Sequence, residues 1–179
     1  MIRRRKKYSR PKKPFDKQRI EAENELIEKY GLKSKREIWK ADSSIAKIRN
    51  LAKELITKTD EEKNAFIERL QKKGYNVQIL QDALALDKED LLKRRLQTIV
   101  FLKGFVRTPK QARQLIVHRH VSLGENIINI PSYNVDLNEE SDVRLNIVLK
   151  VPESKKSKIE QIKEDVLNEE NNIEGGLIE

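Results

Sequence analysis

The sequence predicts an α+β fold. An α-helical N-terminal domain leads into a small C-terminal domain of two helices packed on a short, mostly antiparallel sheet, with a basic extension in front and an acidic tail behind. Three observations carry this reading. Apolar residues recur at helical spacing from Asp16 to about Leu102; short β-branched runs separated by turn residues replace that pattern after Val121; and charge dominates both ends, with opposite signs.

Composition narrows the function classes. Hydrophobic and charged residues each make up 37% of the 179 residues, so only a modest core is available. The net charge of +9 and a pI near 9.6 favour a polyanionic partner. A membrane is not expected, because the longest apolar run, Thr98-Ile-Val-Phe-Leu102, is far too short to span a bilayer. With no cysteine, disulfides and thiolate zinc sites are excluded. The N-terminus has positive charge but no apolar segment behind it, so secretion is not expected.

In chain order, the extension over residues 1–15 and the start of the next segment hold Arg3, Arg4, Arg5, Lys6, Lys7, Arg10, Lys12, Lys13, Lys17 and Arg19 against Asp16 alone. The plain reading is a solvated tail or a localisation signal. Contact with phosphates explains more, because a second basic region follows in the same chain, and the segment is expected to order only on a polyanion. Over residues 16–88, Ile20, Leu26, Ile27 and Tyr30 form one apolar stripe up to a break at Gly31. Ile38, Ile45, Ile48, Leu51, Ala52 and Leu55 form another. Trp39 reads as a core anchor rather than a base-stacking platform. Thr59-Asp-Glu-Glu62 is a capping-box pattern for a third helix, closed by Gly74. Asp87 or Asp90 then caps one helix running to Gly104 with Leu91, Leu92, Leu96, Ile99 and Val100 inward, placing a domain boundary near residues 86 to 92.

Within residues 89–151, Thr108 is a good N-cap and Pro109 suits the first helical turn, so Lys110 to Arg119 read as a short helix. From Leu91 to Gly124 the charged residues are Lys93, Arg94, Arg95, Lys103, Arg107, Lys110, Arg113 and Arg119, with no Asp or Glu. Such a field calls for a polyanion, although any one of these side chains alone would be an ordinary solvated cation. Two strands around a Gly124-Glu-Asn126 turn follow, and Val143 to Leu149 reads as a closing strand. In the tail over residues 152–179, Glu and Asp outnumber Lys; Ile159, Ile162 and Val166 make at most a narrow stripe on a frayed segment.

Ala112-Arg-Gln-Leu-Ile-Val-His-Arg-His-Val121 and Ile130-Pro-Ser-Tyr-Asn-Val135, preceded by Arg94-Arg-Leu96 and Lys103-Gly-Phe105, closely resemble the S-four-type RNA-binding domain of small-subunit ribosomal proteins. Pro14-Phe-Asp-Lys-Gln-Arg19, Tyr30-Gly-Leu-Lys-Ser-Lys-Arg-Glu-Ile-Trp39 and Ala46-Lys-Ile-Arg49 resemble the archaeal and eukaryotic-cytosolic branch of that family. One departure stands out: family members often carry His-Gly-His, and here Arg119 replaces the glycine. The resemblance implies a structural constituent of the small ribosomal subunit in the cytoplasm. It implies a primary binder of ribosomal RNA that nucleates assembly, borders the channel through which mRNA enters, contributes to translational accuracy and touches neighbouring ribosomal proteins. By motif match it assigns RNA contact to Arg94, Arg95, Arg107, Lys110, Gln111, Arg113, His118, Arg119 and His120.

Enzymatic readings lack apparatus. His118 and His120 are the only histidines and have no nearby acid to complete a metal site; no phosphate-cradling loop, dinucleotide fingerprint or nucleophile elbow is present. Neither a cofactor nor a small-molecule substrate is expected. The same small domain also occurs on RNA-modifying enzymes and synthetases, but the other segments here are short and helical. A free-standing RNA-binding regulatory or stress factor is the alternative.

Overall fold

Turn chemistry shapes the helical half. In the computed structural model, which describes residues 6–147, helix α1 (Lys17–Tyr30) stops at Gly31, whose φ of 60° is left-handed. Only glycine fits: a Cβ there would come within 2.8 Å of Pro109 Cβ and the Lys110 nitrogen, so the α1 turn lies directly on the segment that opens a later helix. Helix α2 (Lys35–Leu55) buries Ile38, Ala41, Ile45 and Ala52, whereas Leu51, expected on that stripe, is exposed. Helix α3 (Asp60–Lys72) begins after Thr59 as its sequence signals, yet the Thr59 side chain makes no cap bond. Asp60, Glu61 and Glu62 favour that helix start by charge instead. Helices α4 (Leu80–Ala85) and α5 (Lys88–Lys93) complete this half; α4, at six residues, is too short for its periodicity to show. Leu26, Tyr30, Phe66, Leu70, Val77, Ala83 and Leu92 share one core with the buried stripe of α2.

The single helix expected from Asp87 to Gly104 is two helices, α5 and α6 (Leu96–Leu102). A distant segment causes the break. Leu96 N–H donates to the Tyr133 carbonyl at 2.8 Å, Val135 N–H donates to the Arg94 carbonyl at 3.0 Å, and Arg95 forms an antiparallel bridge with Asn134. Those bonds hold Arg95 extended, at φ −72° and ψ 141°, and no helix can continue through it.

Helix α7 (Pro109–Val117) then leads into strands β1 (Val121–Leu123) and β2 (Asn126–Ile127), helix α8 (Leu137–Glu140) and strand β3 (Val143–Leu145). The sheet is antiparallel, ordered β2-β1-β3, with Leu123 opposite both Asn126 and Val143. Ile99, Val100, Ala112, Ile116, Val121 and Val135 are buried in this half. The expected second strand is shorter than predicted, since Ile127 and Ile130 face solvent. Residues from Lys6 to Asn146 belong to one compact unit. Arg3, Arg4 and Arg5, the end of the predicted closing strand and the acidic tail after Pro152 lie outside the described residues.

Candidate nucleic-acid interface

The acid-free stretch divides into two sets of cations, because acids reach it from elsewhere in the chain. Arg95 is buried at 5% exposure and meets the Glu37 carboxylate at 3.0 Å. Arg113 reaches the other oxygen of the same carboxylate at 2.9 Å. Glu37 stands in the first turn of α2, and the Lys33 backbone N–H also donates to it. Burial pushes the Glu37 carboxyl upward, but the Arg113 hydrogen bond and the charges of Arg113 and Arg95 outweigh it and hold it below its ordinary value. Beside this clamp lies buried Gln97. Its amide nitrogen sits 2.9 to 3.0 Å from the carbonyls of Tyr30, Gly31 and Pro109, and its amide oxygen accepts from Arg113 at 3.4 Å. The α1–α2 turn, α6 and α7 are thereby fixed to one another.

Arg94 is committed in a similar way. It pairs with Glu140 at 2.7 Å, donates to the Val135 carbonyl at 2.9 Å, and lies over Gly74, where a Cβ would come within 2.4 Å of its guanidinium carbon. Lys103 donates to the Glu140 carbonyl.

The remaining predicted contacts are placed by α7. Thr108 accepts from the Gln111 N–H at 3.2 Å, while the Gln111 side-chain oxygen accepts from the Arg107 N–H at 3.2 Å. This reciprocal cap makes Gln111 a helix-start residue and holds Arg107, half-exposed, beside it. Lys110 is exposed one turn in. At the other end, Arg119 N–H donates to the Ile116 carbonyl and His120 N–H to the Leu115 carbonyl, both at 3.0 Å, a Schellman closure. Arg119 takes the left-handed position of that closure at φ 63°, the one non-glycine residue with positive φ among the described residues. Glycine is usual there, and a side chain costs about 1 kcal/mol. Arg119 is exposed, and the His118 and His120 rings lie nearly parallel beside it, 6.3 Å apart. Arg107, Lys110 and Arg119 make no ion pair among the described residues.

The N-terminal segment is partly tied down. Tyr8 packs against Trp39 with ring centroids 6.0 Å apart. Arg19 donates to the carbonyls of Lys13 and Pro14 and pairs with Glu23 at 2.8 Å. Glu23, 4% exposed, also takes the Trp39 indole N–H at 2.9 Å and faces Lys35 at 3.3 Å. Burial raises its pKa, but the hydrogen bonds from Trp39, Arg19 and Lys35 lower it further, leaving a net depression. The described part of this segment is therefore laid on α1 and α2, not ordered by a polyanion alone, and Arg19 acts as its latch. Lys6, Lys7, Arg10, Lys12 and Lys13 remain exposed, and Lys17 pairs loosely with Glu21 at 3.8 Å on the surface of α1. Trp39 is an anchor, as expected, with Glu23 as its partner. Sequence reasoning did not single out the four exposed cations of α2, Arg36, Lys40, Lys47 and Lys53; a helical projection for charge instead of apolarity would have found them.

The S4 domain family matches residues 94–141. Small ribosomal subunit protein uS4 of Methanospirillum hungatei is 41% identical over 150 residues, covering 77% of this chain and 82% of the relative. The chain belongs to the uS4 family. Proteins of the same name from Methanoregula boonei and Picrophilus torridus are each 40% identical, covering 77% and 79% of this chain and 80% and 82% of the relatives. The uS4 family is structural, not enzymatic. In this uS4 chain the matched S4 domain begins at the break between α5 and α6 and ends just after α8. The alignments to relatives are far longer than that domain and so reach into the helical half. Among the described residues no group of His, Asp or Glu is arranged to hold a metal ion, and no helix is long and apolar enough to cross a membrane.

Proposed function

We propose that this uS4 chain is a structural constituent of the small ribosomal subunit in the cytoplasm, where it grips small-subunit ribosomal RNA. It is a primary binder that helps nucleate assembly, borders the channel through which mRNA enters, contributes to translational accuracy and contacts mRNA and neighbouring small-subunit proteins. The helical part over residues 16–88 and the part over residues 89–151 both grip the RNA; the first also braces α7, which the second presents. The observation that carries the reading is the set of cations without acid partners at the two ends of α7, half-exposed Arg107 and exposed Lys110 and Arg119, with His118 and His120 beside them. Guanidinium and ammonium groups displayed this way meet phosphates, and the imidazoles can hydrogen-bond or stack on unpaired bases. Arg94, Arg95 and Arg113 support RNA contact by holding α6 and α7 in place; any touch on RNA would come from the parts of their guanidinium groups not turned to Glu140 or Glu37.

The test is affinity for small-subunit ribosomal RNA against an unrelated structured RNA of equal length, over a series of salt concentrations. The reading expects a preference for ribosomal RNA that persists at high salt. Two curves that merge as salt rises would replace it with a generic basic RNA binder.

A further inference from the structure

The N-terminal strap, residues 6–15, is seated on α1 and α2 in a sided way. Tyr8 and Pro11 are its half-buried residues: Tyr8 packs on Trp39 with ring centroids 6.0 Å apart, and Pro11 walls a cleft together with Pro14, Ile20, Lys35 and Trp39. Every other residue from Lys6 to Phe15 is exposed, among them the five cations Lys6, Lys7, Arg10, Lys12 and Lys13. One latch holds the strap there. A single Arg19 guanidinium nitrogen donates to the carbonyls of Lys13 and Pro14, at 2.9 and 3.0 Å, and the guanidinium also donates to Glu23 at 2.8 Å. The Glu23 oxygen that accepts from Arg19 accepts the Trp39 indole N–H as well, at 2.9 Å. The ring that seats Tyr8 and the guanidinium that ties down Lys13 are thus both fixed by one buried carboxylate.

We propose that Arg19, Glu23 and Trp39 are positioning residues for the strap: they hold it ordered in the free protein with its cations outward, so that a phosphate backbone meets a preset arm. The inference rests on the RNA-binding reading above. Apolar residues turned in and cations turned out suit presentation; an arm that covered its own charge would turn the cations in. An unseated strap has to be ordered at the moment of binding, and that lost conformational entropy is subtracted from affinity. The phosphates neutralised in the complex are the same either way. The latch therefore acts on affinity and leaves the salt dependence alone.

The experiment compares the full chain with a double variant of unchanged charge, Tyr8→Ala with Arg19→Lys, which removes the seated ring and the forked donor. Trypsin cleavage at Lys12, followed without RNA, reports whether the strap is seated, because cutting tracks the population of the open form. Titration with small-subunit ribosomal RNA and with an unrelated structured RNA across salt reports binding. The double variant is expected to be cut about tenfold faster and to bind about tenfold more weakly, a factor that ordering even one residue can cost. Its slope of log affinity against log salt should match the parent, whereas deleting residues 1–13 should lower the slope by roughly 0.9 for each phosphate released. Arg19→Lys alone should show the faster cleavage and the weaker binding in smaller measure. Equal cleavage of parent and double variant overturns the latch, as does an affinity that is unchanged or higher, or a slope that falls with it. A loss confined to Tyr8→Ala overturns it too and makes Tyr8 a direct contact. A parent without preference for ribosomal RNA overturns the ribosomal reading instead; the latch is judged on the difference between variant and parent.

Discussion

Arg95 and Arg119 lie in the same acid-free stretch and have opposite fates. Arg95 is buried against Glu37, which it shares with Arg113; Arg119 stands exposed on a left-handed helix end and makes no ion pair among the described residues. The difference teaches that local charge density identifies a basic segment without saying which of its charges are available. Distant acids decide that. Glu37 and Glu140, from α2 and α8, pair with Arg95, Arg113 and Arg94, whereas Arg107, Lys110 and Arg119 make no ion pair among the described residues.

The comparison breaks most visibly at its buried end. Glu37→Ala leaves Arg95 buried without its counter-charge, and loss of one member of a buried pair costs about 3–5 kcal/mol. Urea unfolding should show that loss, whereas Lys110→Ala should stay within about 0.5 kcal/mol of the parent. Equal stabilities for the two variants would mean that the clamp contributes nothing.

Acid probes the same clamp without mutation. Glu37 and Glu23 both have folded-state pKa values below their unfolded ones, so the stability they lend is fully present above the unfolded glutamate value of about 4.3. It is lost as pH falls through that value toward the depressed one. The midpoint of urea unfolding should hold steady from pH 7 to about pH 5 and drop below about pH 4.3, and Glu37→Gln should shrink that drop. A drop of the same size in Glu37→Gln would assign it to other carboxylates.

The smallest effect sharpens the exposed end. Arg119→Gly removes a side chain from a left-handed backbone and should stabilise the fold by about 1 kcal/mol, while weakening RNA binding. A variant both more stable and weaker in binding marks a cation kept for its partner at the expense of the fold. Unchanged RNA affinity would make the strain unexplained.

Much of this was legible in the residues themselves. Thr108 and Pro109 announce α7, Gly31 and Gly74 stop α1 and α3, and the family motifs point to the S4 domain. Signals of that kind are local: a cap, a turn or a period lies within a few residues. The break between α5 and α6 was not legible, because the carbonyl of Tyr133 and the N–H of Val135 impose it from a distant segment. The pairing of Arg95 and Arg113 with Glu37 was hidden for the same reason. Gln111 shows a third case, in which a residue suited to RNA by type also closes its own helix start through its side-chain oxygen.

The most direct test of the division between bracing and binding cations is the affinity of Arg107→Gln, Lys110→Gln, Arg119→Gln for small-subunit ribosomal RNA, measured across salt beside its urea unfolding. Stability should be undiminished and the salt slope lower by about 2 to 3, one step of roughly 0.9 for each phosphate no longer neutralised. An unchanged slope and affinity in a stable variant would contradict that division and move the RNA-binding surface away from α7.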